Sequence, residues 1–359
     1  MERLREKIGQ MFLVGCGGET LTREERLIFA ECQFGGFILF RDNCIAPGQI
    51  VQLCRSLWQS ALETPPFIAI DHEGGRVQRL PEPFTRFPAP TRIGGTGNAD
   101  LAYRLGRAAA EELRLAGINL NFAPVLDVDS NAANPIIGDR AFGTNAAAVI
   151  EFGSAWMRGL IDGGIIPCGK HFPGHGGADQ DSHLELPTVM KSLAELIATE
   201  LLPFAHACRN RIDSLMTAHV LYPALDPRLP ATLSEPIVTG LLRHQYGYDG
   251  VVFSDDMDMK AISDNYGVDE SAALAVRAGV DVLLFCHEAA KATQAFEFLC
   301  HEAERDPELR ARVESSFRRI LTLKQRYLKN FTGAAEEEIE ARLGELRHQR
   351  LIDEIQGNL

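Results

Sequence analysis

The chain has 359 residues, 45% of them apolar, enough for one large domain or two modest ones. Its 36 basic against 49 acidic residues leave a net charge of -13, which argues against nucleic acid and anionic membrane surfaces as partners. The eight cysteines, at 16, 32, 44, 54, 168, 208, 286 and 300, form no C-x-x-C pair; this usage fits a reducing compartment and argues against a disulfide framework or a cysteine zinc site.

The longest apolar run near the amino terminus, residues 11–14, is too short for the core of a signal peptide. No stretch approaches the roughly 18 apolar residues of a membrane span. The expectation is a cytoplasmic protein, as a monomer or weak homo-oligomer.

In chain order, short apolar runs occupy residues 10–16, 35–40, 67–70, 120–128, 165–169, 214–219, 250–254 and 280–286. They are apolar on successive positions and often β-branched, as strands buried on both faces are. Longer segments with helical spacing lie between them. In residues 100–115, Leu101, Leu105, Ala109 and Leu113 share a face, and residues 147–161, 193–209 and 289–304 behave alike. Strands alternating with helices imply right-handed crossovers, and eight such units in about 300 residues predict an α/β fold, a single (β/α)8 barrel of the TIM type. No G-x-G-x-x-G follows the first run, so an open doubly wound sheet is unsupported. Beyond residue 306 two helices are expected on the barrel exterior. Val313, Phe317, Ile320 and Leu321 mark the face of one, Ile339, Leu343 and Leu346 that of the other, with the break at Thr332 and Gly333. The predicted division is a catalytic barrel over 1–330 and a helical extension of the same domain over 331–359.

In such a barrel the active site lies at the carboxyl ends of the strands. Five runs lead to charged tips. These are Asp71-His72-Glu73-Gly74-Gly75-Arg76, Asp127 leading to Asp139-Arg140, Lys170-His171, His219, and Asp255-Asp256. Residues 170–187 read KHFPGHGGADQDSHLELP, a glycine-bearing loop over the barrel mouth. Asp181 and His183 are two apart; in extended backbone the carboxylate can orient the imidazole and raise its basicity, which suits a proton donor and acceptor. Asp255 ends an apolar strand, where a carboxylate can attack an electrophilic carbon or stabilise positive charge.

KHFPGHG, the D-S-H of the loop, IDHEGGRVQRL, GDRAFG and FSDDMDM together resemble glycoside hydrolase family 3, over residues 11 to about 327. The single-domain form resembles the bacterial β-N-acetylglucosaminidases of peptidoglycan recycling. The resemblance implies Asp255 as nucleophile and His183 as acid/base supported by Asp181. It implies Asp71, Arg79, Arg140, Lys170 and His171 as sugar-binding residues, with His219 added. It implies a carbohydrate substrate, no cofactor and no metal. Two departures lie beside the site: residues 177–180 read GADQ, and Met257-Asp258 follow S-D-D. They bear on linkage and aglycone preference.

Plainer roles compete for several residues. Asp71 could cap a turn, Arg140 could pair with Asp139, and Asp256 could be a capping or supporting group. His175 could hold the loop, and His72 and His219 could be structural. Rival functions are a metal-dependent hydrolase using His171, His175, His183, Asp181 and Asp255, and a family phosphorylase with phosphate as acceptor. A β-glucosidase or xylosidase of the family, or a sugar-binding protein on the same barrel, completes the set.

Overall fold

The computed structural model describes residues 2–61, 64–178, 182, 185–345 and 348–357. Eight strands form the sheet: Phe12–Gly15 (β1), Gly36–Leu39 (β2), Phe67–Ile70 (β3), Leu120–Asn121 (β4), Ile166–Phe172 (β5), Ser214–Thr217 (β6), Val251–Asp256 (β7) and Val282–Phe285 (β8). All pair in parallel in chain order, and β8 closes on β1. Each predicted run overlaps one strand, with β5 and β7 continuing past their runs to Phe172 and Asp256, so the (β/α)8 barrel is the observed architecture. The runs are unbroken in hydrophobicity because these strands are buried on both faces. Their interior carries Phe67, Phe122 and Phe253, with the Phe253 ring 5.9 Å from Phe67 and 5.6 Å from Phe122, edge-on to both. Gly36 makes room for this layer: a Cβ there would sit 2.7 Å from that of Phe67.

The run at 120–128 is strand for only two residues. Pro124 has no N–H to give to the ladder, and the chain re-pairs at Val125 opposite Lys170, with Leu126 N–H donating to Lys170 O at 2.7 Å. The continuing burial to Val128 carries Asp127 into the site.

The helices at Ala99–Ala116, Ala146–Asp162 and Ala289–Arg305 fall where the helical spacing places them. Asn98 and Asn145 cap the first two through their side chains, and Gly117, at φ 87°, ends the first in the left-handed conformation that glycine tolerates. The single helix expected over 193–209 is two, Leu193–Ala198 and Leu201–Arg209. Pro203 cannot supply the amide a continuous helix needs there, so it sits in a new first turn. The break turns Glu200 inward, where it is fully buried and accepts from Ser130 Oγ at 2.6 Å and from Lys191.

After Pro307–Leu328 the second expected terminal helix is two short ones, Ile339–Glu345 and Gln349–Gly357, and Leu346 lies outside the described residues. Val313, Ile320, Ile339 and Leu343 are buried. The terminal segment is tied to the 99–116 helix: Ala334 N–H donates to Leu115 O at 3.0 Å, and Arg104 pairs with Glu354 at 2.6 Å.

Candidate active site

A cleft of about 520 Å³ opens at the carboxyl ends of the strands. Asp71 and Glu73 follow β3, Arg140 comes from the excursion after β4, Lys170 and His171 end β5, and Asp255 ends β7; all line the cleft. Six residues from four crossovers meet only because the barrel closes.

One wall is a carboxylate–cation cluster. Lys170 Nζ lies 2.7 Å from Asp71 Oδ1 and 2.5 Å from Glu73 Oε1. Arg140 grips Glu73 with two parallel hydrogen bonds, Nε to Oε2 and Nη2 to Oε1, both 2.8 Å. Its partner is thus Glu73; Asp139 pairs instead with Arg76 at 2.8 Å. Burial would by itself raise the Glu73 carboxyl, yet Arg140 and Lys170 hold it well below the usual carboxylate range. Burial would likewise lower Lys170, but Asp71 and Glu73 raise it, so the ammonium stays charged. Arg79 stands 3.6 Å from Asp71 Oδ2 and lies over the Phe40 ring. Asp71 and Arg79 are only half-buried. Hydrogen-bond donors and acceptors therefore alternate along this wall, preset by the buried Glu73 beneath them.

Asp127 organises the next stretch. Fully buried, it accepts His171 Nδ1–H at 2.7 Å and the backbone N–H of His175 at 2.7 Å. Its carboxyl is raised by burial but lowered further by His171 and His175, so it ionises below its ordinary range. The bond from Nδ1 to this carboxylate fixes the His171 ring and leaves its Nε2 available to the cleft. His175 sits behind, its Nε2 3.1 Å from Ser182 Oγ, with burial pushing the imidazole down to about 4.

Asp255 owes its position to a bulge. Phe253 pairs with Val282 and Asp256 with Leu284, so three steps along β7 match two along β8. The extra residue is absorbed at Ser254 and Asp255, and Ser254 Oγ accepts the Leu284 N–H at 2.9 Å. Such bulges re-aim side chains beside active sites. Asp255 Oδ1 accepts the Asp256 N–H at 2.8 Å, and the side chain lines the cleft half-buried.

His219 differs from its expected place in sugar binding. It is fully buried, with Nδ1 2.8 Å from Thr232 Oγ1 and Nε2 donating to the Asp256 carbonyl at 2.9 Å, behind the cleft wall. The run that carries it continues inward past β6, which puts the ring beneath β7. Asp181 and His183 lie outside the described residues. Glu73 and Asp127 stand among the charged strand tips in the sequence, but neither is given a role there. The available signal was chemical: an acid inside an otherwise apolar run, as in FAPVLDV, needs a buried partner.

The profile of the glycosyl hydrolase family 3 N-terminal domain matches residues 3–323. A β-hexosaminidase of Alkalilimnicola ehrlichii is 40% identical over 282 residues, 77% of this chain and 80% of that relative. Among solved structures, a family 3 β-N-acetylglucosaminidase from Paenibacillus sp. str. FPU-7 superposes with a TM-score of 0.87 at 40% identity, covering 95% of this chain and 68% of that one. NagZ from Neisseria gonorrhoeae, solved with N-trifluoroacetyl-D-glucosamine, gives a TM-score of 0.77 at 33% identity, with 97% of each chain covered.

Proposed function

Because the chain belongs to glycoside hydrolase family 3, we propose that it is a retaining exo-β-N-acetylhexosaminidase that releases terminal GlcNAc through a covalent intermediate on Asp255. The observation that carries this reading is Asp255 raised on the β7 bulge into a cleft whose other wall presents Asp71, Arg79, Lys170 and His171. The β-hexosaminidase and β-N-acetylglucosaminidase relatives supply the choice of sugar.

In the first step an Asp255 carboxylate oxygen attacks the anomeric carbon, the glycosidic bond breaks, and His183 gives its proton to the leaving oxygen. Asp181 orients and charges the imidazole. In the second step His183 takes a proton from water, the water oxygen displaces Asp255, and the sugar leaves with retained configuration. Asp71 accepts from two hydroxyls, while Lys170 and Arg140 donate to hydroxyls or to the acetamido oxygen. Fragments of peptidoglycan in the cytoplasm are the proposed natural substrate, and 1–330 is the proposed catalytic unit with 331–359 as its extension. Among the described residues no helix is long and apolar enough to cross a membrane.

The test is hydrolysis of aryl β-GlcNAc beside aryl β-glucoside, with Asp255→Asn as control and no added metal. GlcNAc release lost in Asp255→Asn is expected. Activity on the glucoside alone, or only with metal, would overturn the reading, and a rate requiring phosphate would make the protein a phosphorylase. His183→Ala should slow turnover severely but spare substrates with very good leaving groups; equal loss on both would remove His183 from the acid role.

A further inference from the structure

The sequence singles out Asp256 and Asp258 as neighbours of the nucleophile, and the mechanism uses neither. Both turn back to the end of β8. Asp256 Oδ1 accepts the N–H groups of Asp258 and Cys286, each at 3.1 Å, and its Oδ2 lies 3.5 Å from His287 Nε2. Asp258 Oδ2 accepts the N–H groups of His287 at 3.0 Å and Glu288 at 3.3 Å. The backbone of Asp256 is held as well: its carbonyl accepts His219 Nε2–H, and the next amide, of Met257, donates to Leu284 O at 2.8 Å. The ladder is interrupted at Ser254 and Asp255, so the residue that closes the bulge on its outer side is Asp256.

We propose that Asp256 is a positioning residue for the nucleophile: its carboxylate latches the end of β7 to the end of β8 and so fixes the bulge that aims Asp255 into the cleft. The latch rests on the reading of Asp255 as nucleophile. Without it, the extra residue of β7 is free to redistribute, and Asp255 moves relative to the wall that holds the sugar. A reacting group displaced by about 1 Å costs about 100-fold in rate.

The latch also titrates. Burial, and the nearby Asp258, raise the Asp256 carboxyl to about 6, against the N–H groups of Asp258 and Cys286 and the pull of His287. The other groups facing it are Asp255 on its own strand, the Cys286 thiol, the His219 ring from the segment after β6 and, beyond Asp258, Lys291. Below about pH 6 the carboxylate gains a proton and its hydrogen bonds lose their charge assistance.

Steady-state kinetics on aryl β-GlcNAc, with thermal unfolding alongside, separate positioning from stability. In Asp256→Ala we expect kcat to fall about 10- to 100-fold with KM changed less than about threefold and the unfolding midpoint nearly unmoved. In Asp256→Asn the Oδ1 acceptor for both amides remains. Being uncharged like the protonated carboxyl, this variant should hold kcat above that of Asp256→Ala but at the wild type's low-pH level at every pH, so the kcat limb expected near pH 6 in the wild type should be gone. The proposal is overturned if Asp256→Ala keeps kcat within about twofold, if loss of kcat only tracks loss of folded protein, or if Asp256→Asn retains the wild-type limb. A wild-type protein inert on aryl β-GlcNAc would instead refute the hexosaminidase reading.

Discussion

Glu73→Gln keeps the shape of the side chain and removes one negative charge from beneath two buried cations. Lys170 still has Asp71 at 2.7 Å, but Arg140 loses one of its two acceptors at residue 73 and the charge of the other, keeping one amide oxygen and the Ile136 carbonyl at 3.3 Å. The Arg140 side chain is 10% exposed and that of Glu73 1%, so water replaces little of what is lost. Breaking a buried pair from one side costs about 3–5 kcal/mol. At about 2.1 cal/mol/K of unfolding entropy per residue, a 359-residue chain has about 0.75 kcal/mol/K, so the midpoint should fall by about 4–7 °C. The sign with pH follows from the depressed Glu73 carboxyl. Its contribution is complete above the unfolded value of about 4.3 and is lost as pH falls toward the folded one. The gap between wild type and variant should therefore be constant from pH 6 to 8 and narrow below about 4. Scanning calorimetry across that range measures it, and KM for aryl β-GlcNAc should rise because Lys170 and Arg140 are held less firmly. A midpoint within about 1 °C of wild type, or a gap that persists unchanged in acid, would refute the buried-cluster account.

His72 is buried against Phe87 with neither ring nitrogen bonded, and burial pushes its imidazole down to about 4. Unfolding then takes up a proton below about 6.5, so between pH 7 and 5 this group should cost the wild type about 2 kcal/mol that His72→Leu does not lose. Urea unfolding at both values checks this, and equal losses in the two proteins would contradict it. Gly176→Ala would place a Cβ 1.6 Å from the Val128 carbonyl oxygen, where the segments after β4 and β5 touch. Forcing them apart should destabilise by about 1–3 kcal/mol or more and depress kcat/KM through His171 and Asp127; an unaltered kcat/KM would show that the contact can relax without moving the site.

Much of this protein is written locally. Eight runs could be read as strands because burial on both faces of a parallel barrel forces unbroken hydrophobicity, and the helices at Ala99–Ala116, Ala146–Asp162 and Ala289–Arg305 because one buried face recurs at helical spacing. Lys170, His171 and Asp255 stood out because charge at the end of an apolar strand needs a use. The pairings did not stand out. Nothing local separates Glu73 from Asp139 as the partner of Arg140; it stands 67 positions away in the chain, and the closure of the barrel chooses it. Nothing local marks the β7 bulge, since it exists only as a mismatch in register with β8. His219 reads like a strand-tip ligand, and only its packing beneath the Asp256 carbonyl turns it inward. Composition and periodicity specify which residues must be buried and which must be solvated. Which carboxylate meets which cation is decided by distance through space, and that is set when the eighth strand meets the first.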